Sequence, residues 1–176
     1  MAESLAALEG IRLGSRESGA RVGRGEIGGK KILLALPQTY MNASGEAVYD
    51  LCQRNGIDPS HLCVVFDDID LTLGTLRMRA RGSAGGQKGM ASIIQSLGTS
   101  EFPRLRVGVR GGGYSREIEL ADYVLEPFAE AERASFEDAV GRAVEALRIW
   151  VAEGIETAMR STNGKTSSPR EASRAD

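Results

Sequence analysis

Histidine is almost missing from this sequence. His61 is the one imidazole in 176 residues, so any chemistry that needs that group must use it or do without. Cysteine is nearly as scarce. Cys52 and Cys63 lie outside any CxxC spacing, which excludes a disulfide framework and argues against a zinc site. No apolar stretch approaches the roughly 18 residues that a membrane span needs, and the longest strip, Ile32 to Leu36, is strand-sized. The opening segment, Met1 to Glu9, carries Glu3 and Glu9 and has no basic stretch followed by an apolar one. It does not read as a secretory signal, and a cytoplasmic protein is expected. What is present is 41% hydrophobic and 26% charged residues with 22 glycines, the composition of one globular domain with a real core.

The net charge of −2 hides an uneven distribution. From Arg77 to Arg110 there are seven basic residues (Arg77, Arg79, Arg81, Lys88, Arg104, Arg106 and Arg110) against one acid, Glu101. That segment is +6 and the remainder −8. Clustered arginine with little compensation suits a phosphate backbone; the plainer alternative is a solvated strand-and-loop surface.

Periodicity gives a mixed α/β pattern. Ala20 to Glu26 and Lys31 to Leu36 read as strands joined through Gly28-Gly29 in a hairpin. Gly23, Gly25 and Gly28 spell G-x-G-x-x-G, but no apolar strand precedes them and no helix follows, so a dinucleotide site is disfavoured. The spacing of Ala47, Val48, Leu51 and Cys52 predicts a helix over 45–55, with Ser44 as N-cap and Asn55-Gly56 as its stop. Leu62 to Phe66 predicts a strand buried on both faces, ending at Asp67-Asp68-Ile69-Asp70. The alternation Leu76-Arg77-Met78-Arg79-Ala80-Arg81 puts three arginines on one face of a strand. Met90, Ile93, Ile94 and Leu97 predict a helix closed by Gly98, and Leu105 to Val109 a further strand with Arg104 and Arg106 on one side. A long amphipathic helix is expected over about Glu130 to Glu153, with Phe136, Val140, Val144, Leu147 and Val151 on its apolar stripe. Residues 1–161 thus form one domain, and Thr162 to Asp176 is expected to be a disordered tail.

Three polar clusters follow strands. In Pro37-Gln38-Thr39-Tyr40-Met41-Asn42-Ala43-Ser44-Gly45, Tyr40 offers a stacking surface for a base or ribose, and Asn42 can both donate and accept; an Asx-turn before the helix is the alternative for Asn42. In Asp67-Asp68-Ile69-Asp70, adjacent carboxylates can hold a metal, orient a base or bond a neighbouring loop. Alternation sends Asp67 to the face opposite Asp68, which disfavours a single metal cage. In Gly82-Ser83-Ala84-Gly85-Gly86-Gln87-Lys88-Gly89, exposed N–H groups at a helix start suit an anion. Lys88 in that first turn opposes the helix dipole unless a phosphate is near. The loop is not a Walker A motif, since Lys88 precedes Gly89 rather than Ser or Thr.

Those three blocks, together with Gly98-Thr99, Phe102-Pro103-Arg104-Leu105-Arg106-Val107-Gly108 and Asp122-Tyr123-Val124-Leu125, resemble bacterial-type peptidyl-tRNA hydrolase over roughly Gly19 to Met159. The resemblance implies a three-layer α/β sandwich with a mixed central sheet. It implies a monomeric cytoplasmic enzyme, without metal or cofactor, that cleaves the ester between a peptide and the 3′-terminal ribose of tRNA. By resemblance, Asp67 is the carboxylate that supports a catalytic histidine. Tyr40 and Asn42 contact substrate near the peptide and the tRNA end, and Met41 lines the site wall between them. Lys88 stands where Asn is common in a tRNA-contacting loop, Gln87 stands where His is common, and Arg77, Arg79 and Arg106 match positions that grip tRNA phosphate.

One part of the family pattern is not in these residues: a strand leading into a Gly-Asn-Pro-Gly loop, and a Thr-Arg-His-Asn segment that carries the general base. Relative to that pattern the sequence is expected to be truncated at its amino end, with Met1 to Arg12 matching the end of the first helix. His61 does not substitute, because six extended residues put it roughly 20 Å from Asp67. Asp67 alone, with an ordinary pKa near ~4, is a weak base at neutral pH. The alternative function is a tRNA- or structured-RNA-binding protein of the same fold without catalysis.

Overall fold

The computed structural model describes residues 1–112 and 128–164; the Asp122 to Leu125 block and the tail beyond Gly164 lie outside them. Strands β1 (Ser15–Glu17), β2 (Ala20–Ile27) and β3 (Lys30–Pro37) form an antiparallel sheet in that order. The hairpin turns at Gly28-Gly29 and pairs Ala20 with Pro37 through Ile27 with Lys30, as the two-glycine turn requires. A second sheet holds β4 (Val64–Thr72), β5 (Leu76–Arg79) and β6 (Arg104–Arg110) in the order β4-β6-β5. There β4 runs parallel to β6 and β5 antiparallel to it, so this sheet is mixed.

Helices cover both faces. On one side α1 (Ala2–Leu8), α4 (Glu130–Glu153) and α5 (Ile155–Asn163) pack with Ile32 and Leu34 of β3, Val65 of β4, Leu76 and Met78 of β5, and Leu105 and Val107 of β6. On the other side α2 (Ser44–Asn55) and α3 (Lys88–Leu97) meet Val64 and Phe66 of β4, while Leu51 of α2 covers Val22, Leu33 and Ala35 of the first sheet. These are the three layers of the expected sandwich. The buried face of α4 differs in detail from the apolar stripe. Ala139, Ala143 and Ala146 are buried with Val144, Leu147 and Val151, whereas Phe136 and Val140 are only half-buried. Alanines let the helix axis lie close to the sheet and leave no room for larger groups between them. No helix among the described residues is long and apolar enough to cross a membrane.

Four local expectations are corrected. Strand β4 does not stop at Phe66 but continues through the acids to Thr72. The Asp68 carboxylate accepts from the Asp70 N–H at 2.9 Å, which bends the strand where its register with β6 shifts. Gly108 makes room for that bend, because a Cβ there would run into the carbonyl oxygens of Leu71 and Thr72. Second, Ser44 is the first residue of α2 rather than its cap; a 3-10 turn, Met41–Ala43, leads straight into the helix. Third, residues 162–163, expected in a tail, belong to α5. Thr162 is buried in α5, and the Asn163 amide bonds both the N–H (2.9 Å) and the carbonyl (3.0 Å) of Met78, pairing the outer edge of β5. A polar run without apolar period hid that contact, since one amide satisfying a strand edge leaves no periodic trace.

The fourth concerns burial in β4. Among the described residues, β3 pairs only with β2 and β4 only with β6, which leaves one unpaired edge on each. Both strands lie between the same helical layers, yet no residue of either is buried: Val64, Val65 and Phe66 are half-buried where burial on both faces was expected. An unpaired edge admits water to the flanks of side chains whose tops and bottoms are covered.

Candidate functional site

Two of the polar clusters meet. The Pro37 to Gly45 segment leaves β3, and the glycine-rich loop enters α3, 46 residues later in sequence. Gln87 holds them together. Its Oε1 accepts from the Met90 N–H at 2.9 Å as the N-cap of α3, and its Nε2 faces Met41 Sδ at 3.7 Å. Beneath that contact α2 and α3 touch backbone to backbone. The Gly45 N–H donates to Ser92 Oγ at 2.9 Å, and any Cβ on Gly45 would overlap the Ser92 carbonyl. The close crossing carries Met41 over Gly89 and leaves Tyr40, 88% exposed, standing in solvent beside it. Asn42 is exposed as well, and its amide makes no hydrogen bond among the described residues, so the Asx-turn alternative does not occur. Lys88 is the exposed first residue of α3.

Asp67 lies within β4, in register with Val107 and on the face opposite Asp68, as alternation requires. It is half-buried, and its carboxylate has no hydrogen-bond or ion-pair partner among the described residues. Asp68 is engaged twice, by the Asp70 N–H and by the Arg106 Nε. The three acids therefore do not converge, and among the described residues no group of three His, Cys, Asp or Glu is placed to hold a metal. His61 is exposed in the 3-10 turn Pro59–His61, before β4 begins, and the extended strand separates it from Asp67.

The basic segment sorts into three kinds of residue. In β5, Leu76 and Met78 are buried and Arg77 and Arg79 exposed, the alternation expected, although the strand ends at Arg79 and Arg81 lies beyond it. Arg77, Arg79, Lys88 and Arg110 are exposed and meet no acid among the described residues. Arg81 is bridged to Glu101 at 3.1 Å, and Arg106, with its side chain 29% exposed, is held by Asp68. Arg104 is not on the surface at all: it is 2% exposed, with its guanidinium 4.5 Å over the Phe102 ring. Alternation alone put Arg104 beside Arg106, and nothing in the period says that a loop covers one and not the other. The desolvated Cys63 thiol, near Arg104, is pushed up to about 12 and stays neutral.

A cavity of about 260 Å³ lies next to this site, lined by Arg16, Glu17, Ser18, Gly19, Ala20, Gln38 and Thr39. It contains none of the residues expected to act, but Gln38 and Thr39 lead directly into Tyr40. Its rim is braced by Ser18, whose hydroxyl donates to Asp50 at 2.5 Å.

Comparison with known proteins bears on the family and the fold. The family model described as Peptidyl-tRNA hydrolase matches residues 1–170. The chain is 44% identical over 162 residues to the peptidyl-tRNA hydrolase of Chloroflexus aurantiacus, covering 92% of this chain and 85% of that one. It is 45% identical over 161 residues to that of Carboxydothermus hydrogenoformans, covering 92% and 84%. Among solved structures, it is similar to a peptidyl-tRNA hydrolase crystallised with N-propanol, with TM-score 0.87 and 29% identity over 95% of this chain and 84% of the other. The peptidyl-tRNA hydrolase of Acinetobacter baumannii matches with TM-score 0.84 and 30% identity, over 92% and 82%.

Proposed function

Because the chain belongs to the peptidyl-tRNA hydrolase family, by homology a family of ester hydrolases, we propose that its substrate is peptidyl-tRNA and its reaction the hydrolysis of the ester joining peptide to the 3′-terminal ribose. The observation that carries this reading is the junction of Tyr40-Met41-Asn42 with Gln87-Lys88-Gly89, two segments far apart in sequence that meet at a helix start whose Lys88 is exposed and meets no acid among the described residues. In this reading Tyr40, Met41 and Asn42 receive the acceptor end and the adjoining peptide. Lys88 and the α3 N-terminus take an acceptor-stem phosphate, and Arg77 and Arg79 take the backbone further along. Arg106 braces the surface through Asp68 and contributes less. The enzyme works in the cytoplasm as a monomer, without metal or cofactor.

Asp67 is a supporting carboxylate: it would accept the Nδ1–H of an imidazole and hold the other nitrogen toward water as general base. Its half-buried, unpartnered state suits that task. His61 is not that imidazole. No other imidazole is present, so the base itself is missing from these residues, and among the described residues one edge of β3 and one of β4 are left unpaired. The unpaired cations favour a second outcome for the chain as it stands, retention of tRNA binding without turnover.

Both parts are tested by incubating N-acetyl-aminoacyl-tRNA with the 176-residue protein and following ester cleavage and binding together. Hydrolysis close to background with tRNA still bound is expected. Robust turnover refutes the missing base, and absence of binding refutes the substrate.

A further inference from the structure

We propose that Arg104 is a positioning residue that locks the glycine-rich loop, and with it Lys88, to the basic strands; what the loop is locked for rests on the peptidyl-tRNA reading above. Arginine inside a protein ordinarily finds a carboxylate, because an unpaired buried charge is costly. Among the described residues Arg104 makes no ion pair; Glu101, which attracts it from nearby, is in contact with Arg81 instead, and the neutral Cys63 thiol supplies no counter-charge. Backbone carbonyls take the place of the acid. Nη1 donates to Gly82 (2.5 Å) and Ser83 (3.1 Å), Nη2 to Ser100 (2.7 Å) and Phe102 (3.3 Å), and Nε to Phe102 (3.3 Å). A guanidinium has five N–H donors in a rigid plane, so this set uses its full capacity.

The carbonyls belong to two places in the chain, the loop after β5 and the connection between α3 and β6, and Arg104 itself opens β6. The loop and the connection share two other polar links, a backbone bond from the Gly82 N–H to the Ser100 carbonyl at 3.4 Å and the exposed Arg81–Glu101 bridge at 3.1 Å. With five donations the guanidinium is the main tie between them. On its own strand Arg104 stands opposite Arg79, one of the unpaired cations. From the tied Ser83 only residues 84–87 intervene before Lys88, and Gln87 is itself fixed by the N-cap and by Met41. Arg104 therefore sets the spacing between the cation of β5 and the cation of α3, both of which must meet phosphates of one RNA. Lysine cannot do this, because its three donors sit on a single nitrogen and do not reach carbonyls on opposite sides of a plane.

The test is a double-mutant cycle on tRNA affinity, with amide exchange of the free protein as a second measurement. Lys88→Ala in the parent chain should weaken binding about five- to eightfold at 0.1 M salt, the loss of one phosphate contact. In an Arg104→Lys background the same change should cost less than about twofold, because Lys88 is already misplaced. An equal loss in both backgrounds overturns the proposal, since a residue that only stabilises the fold leaves the worth of Lys88 unaltered. In the absence of RNA, the Gly82 and Gln87 amides, which donate to the Ser100 and Ala84 carbonyls, should exchange at least about tenfold faster in Arg104→Lys while those of Ala143 and Leu147 keep their rates. Uniform acceleration, or none, also overturns it. The exchange measurement stands without RNA, so a parent chain that fails to bind tRNA refutes the substrate and leaves the tie to be decided by exchange. Arg104→Lys retains charge and most of the volume; Arg104→Met, should it fold, is expected to loosen the same two amides and to match Arg104→Lys in the cycle.

Discussion

The division of the basic segment into free and committed cations has a quantitative consequence for RNA binding. Each phosphate neutralised by a protein cation releases counterions, and log K falls with log salt by about 0.7 to 0.9 per contact. If Arg77, Arg79, Lys88 and Arg110 each meet one phosphate, the slope is about −3 to −4, and affinity for tRNA falls roughly 50- to 150-fold between 50 and 200 mM salt. Removing two of the four, as Arg77→Ala with Arg79→Ala, should halve the slope and leave a fall of only about 7- to 12-fold over the same range. Arg106→Ala makes the opposite case. Its charge is already offset by Asp68, so the slope should stay nearly unchanged. Folding stability should instead drop by about 1–3 kcal/mol, because Asp68, with its side chain 11% exposed, loses its cation. Fluorescence titrations of labelled tRNA at four salt concentrations, with urea melts of each variant, read both quantities. A slope that Arg106→Ala reduces as much as Arg77→Ala does would refute the sorting, and a slope near zero for the parent chain would show the basic face to be ordinary surface.

Two further perturbations probe the frame around the site. Asp50 is held below the usual carboxylate range by the Ser18 hydroxyl first and then by the Arg54 guanidinium. A lowered native pKa gives stability that is present above the unfolded value and is lost as pH falls through the folded one, so the melting temperatures of the parent and Asp50→Asn should differ at pH 7 and converge below about pH 4; a gap independent of pH excludes the linkage. Gly45→Ala should push α2 off α3 at Ser92 and cost about 1–3 kcal/mol in a urea melt, while loosening the Met41–Gln87 contact. Unchanged stability would mean that the two helices separate freely.

Much of the site was legible because it depends on local order. Alternation in Leu76 to Arg79 needs only the pleat of a strand to expose Arg77 and Arg79, and the same two-residue period separates Asp67 from Asp68. The Gly28-Gly29 hairpin, the Gly56 and Gly98 helix stops and the exposed start of α3 at Lys88 also follow from neighbours in sequence. Contacts between distant segments follow no such period. Whether a cation is free depends on what faces it, so Arg104 under its loop, Arg106 against Asp68 and Arg77 in solvent look alike until the chain is folded.

By itself the sequence determined the alternating faces, the helix stops at Gly56 and Gly98, the ordered blocks that mark the family, and the scarcity of imidazole, all properties of residue type and spacing along one chain. Tertiary structure alone decided which of seven cations meet an acid among the described residues, that Gln87 joins the first block to the third through Met41, that Asn163 bonds the edge of β5, and that among the described residues one edge of β3 and one of β4 are unpaired. The reason is that burial, pairing and charge compensation are set by groups brought together from far apart, and the free energy of each depends on its surroundings rather than on its neighbours in sequence.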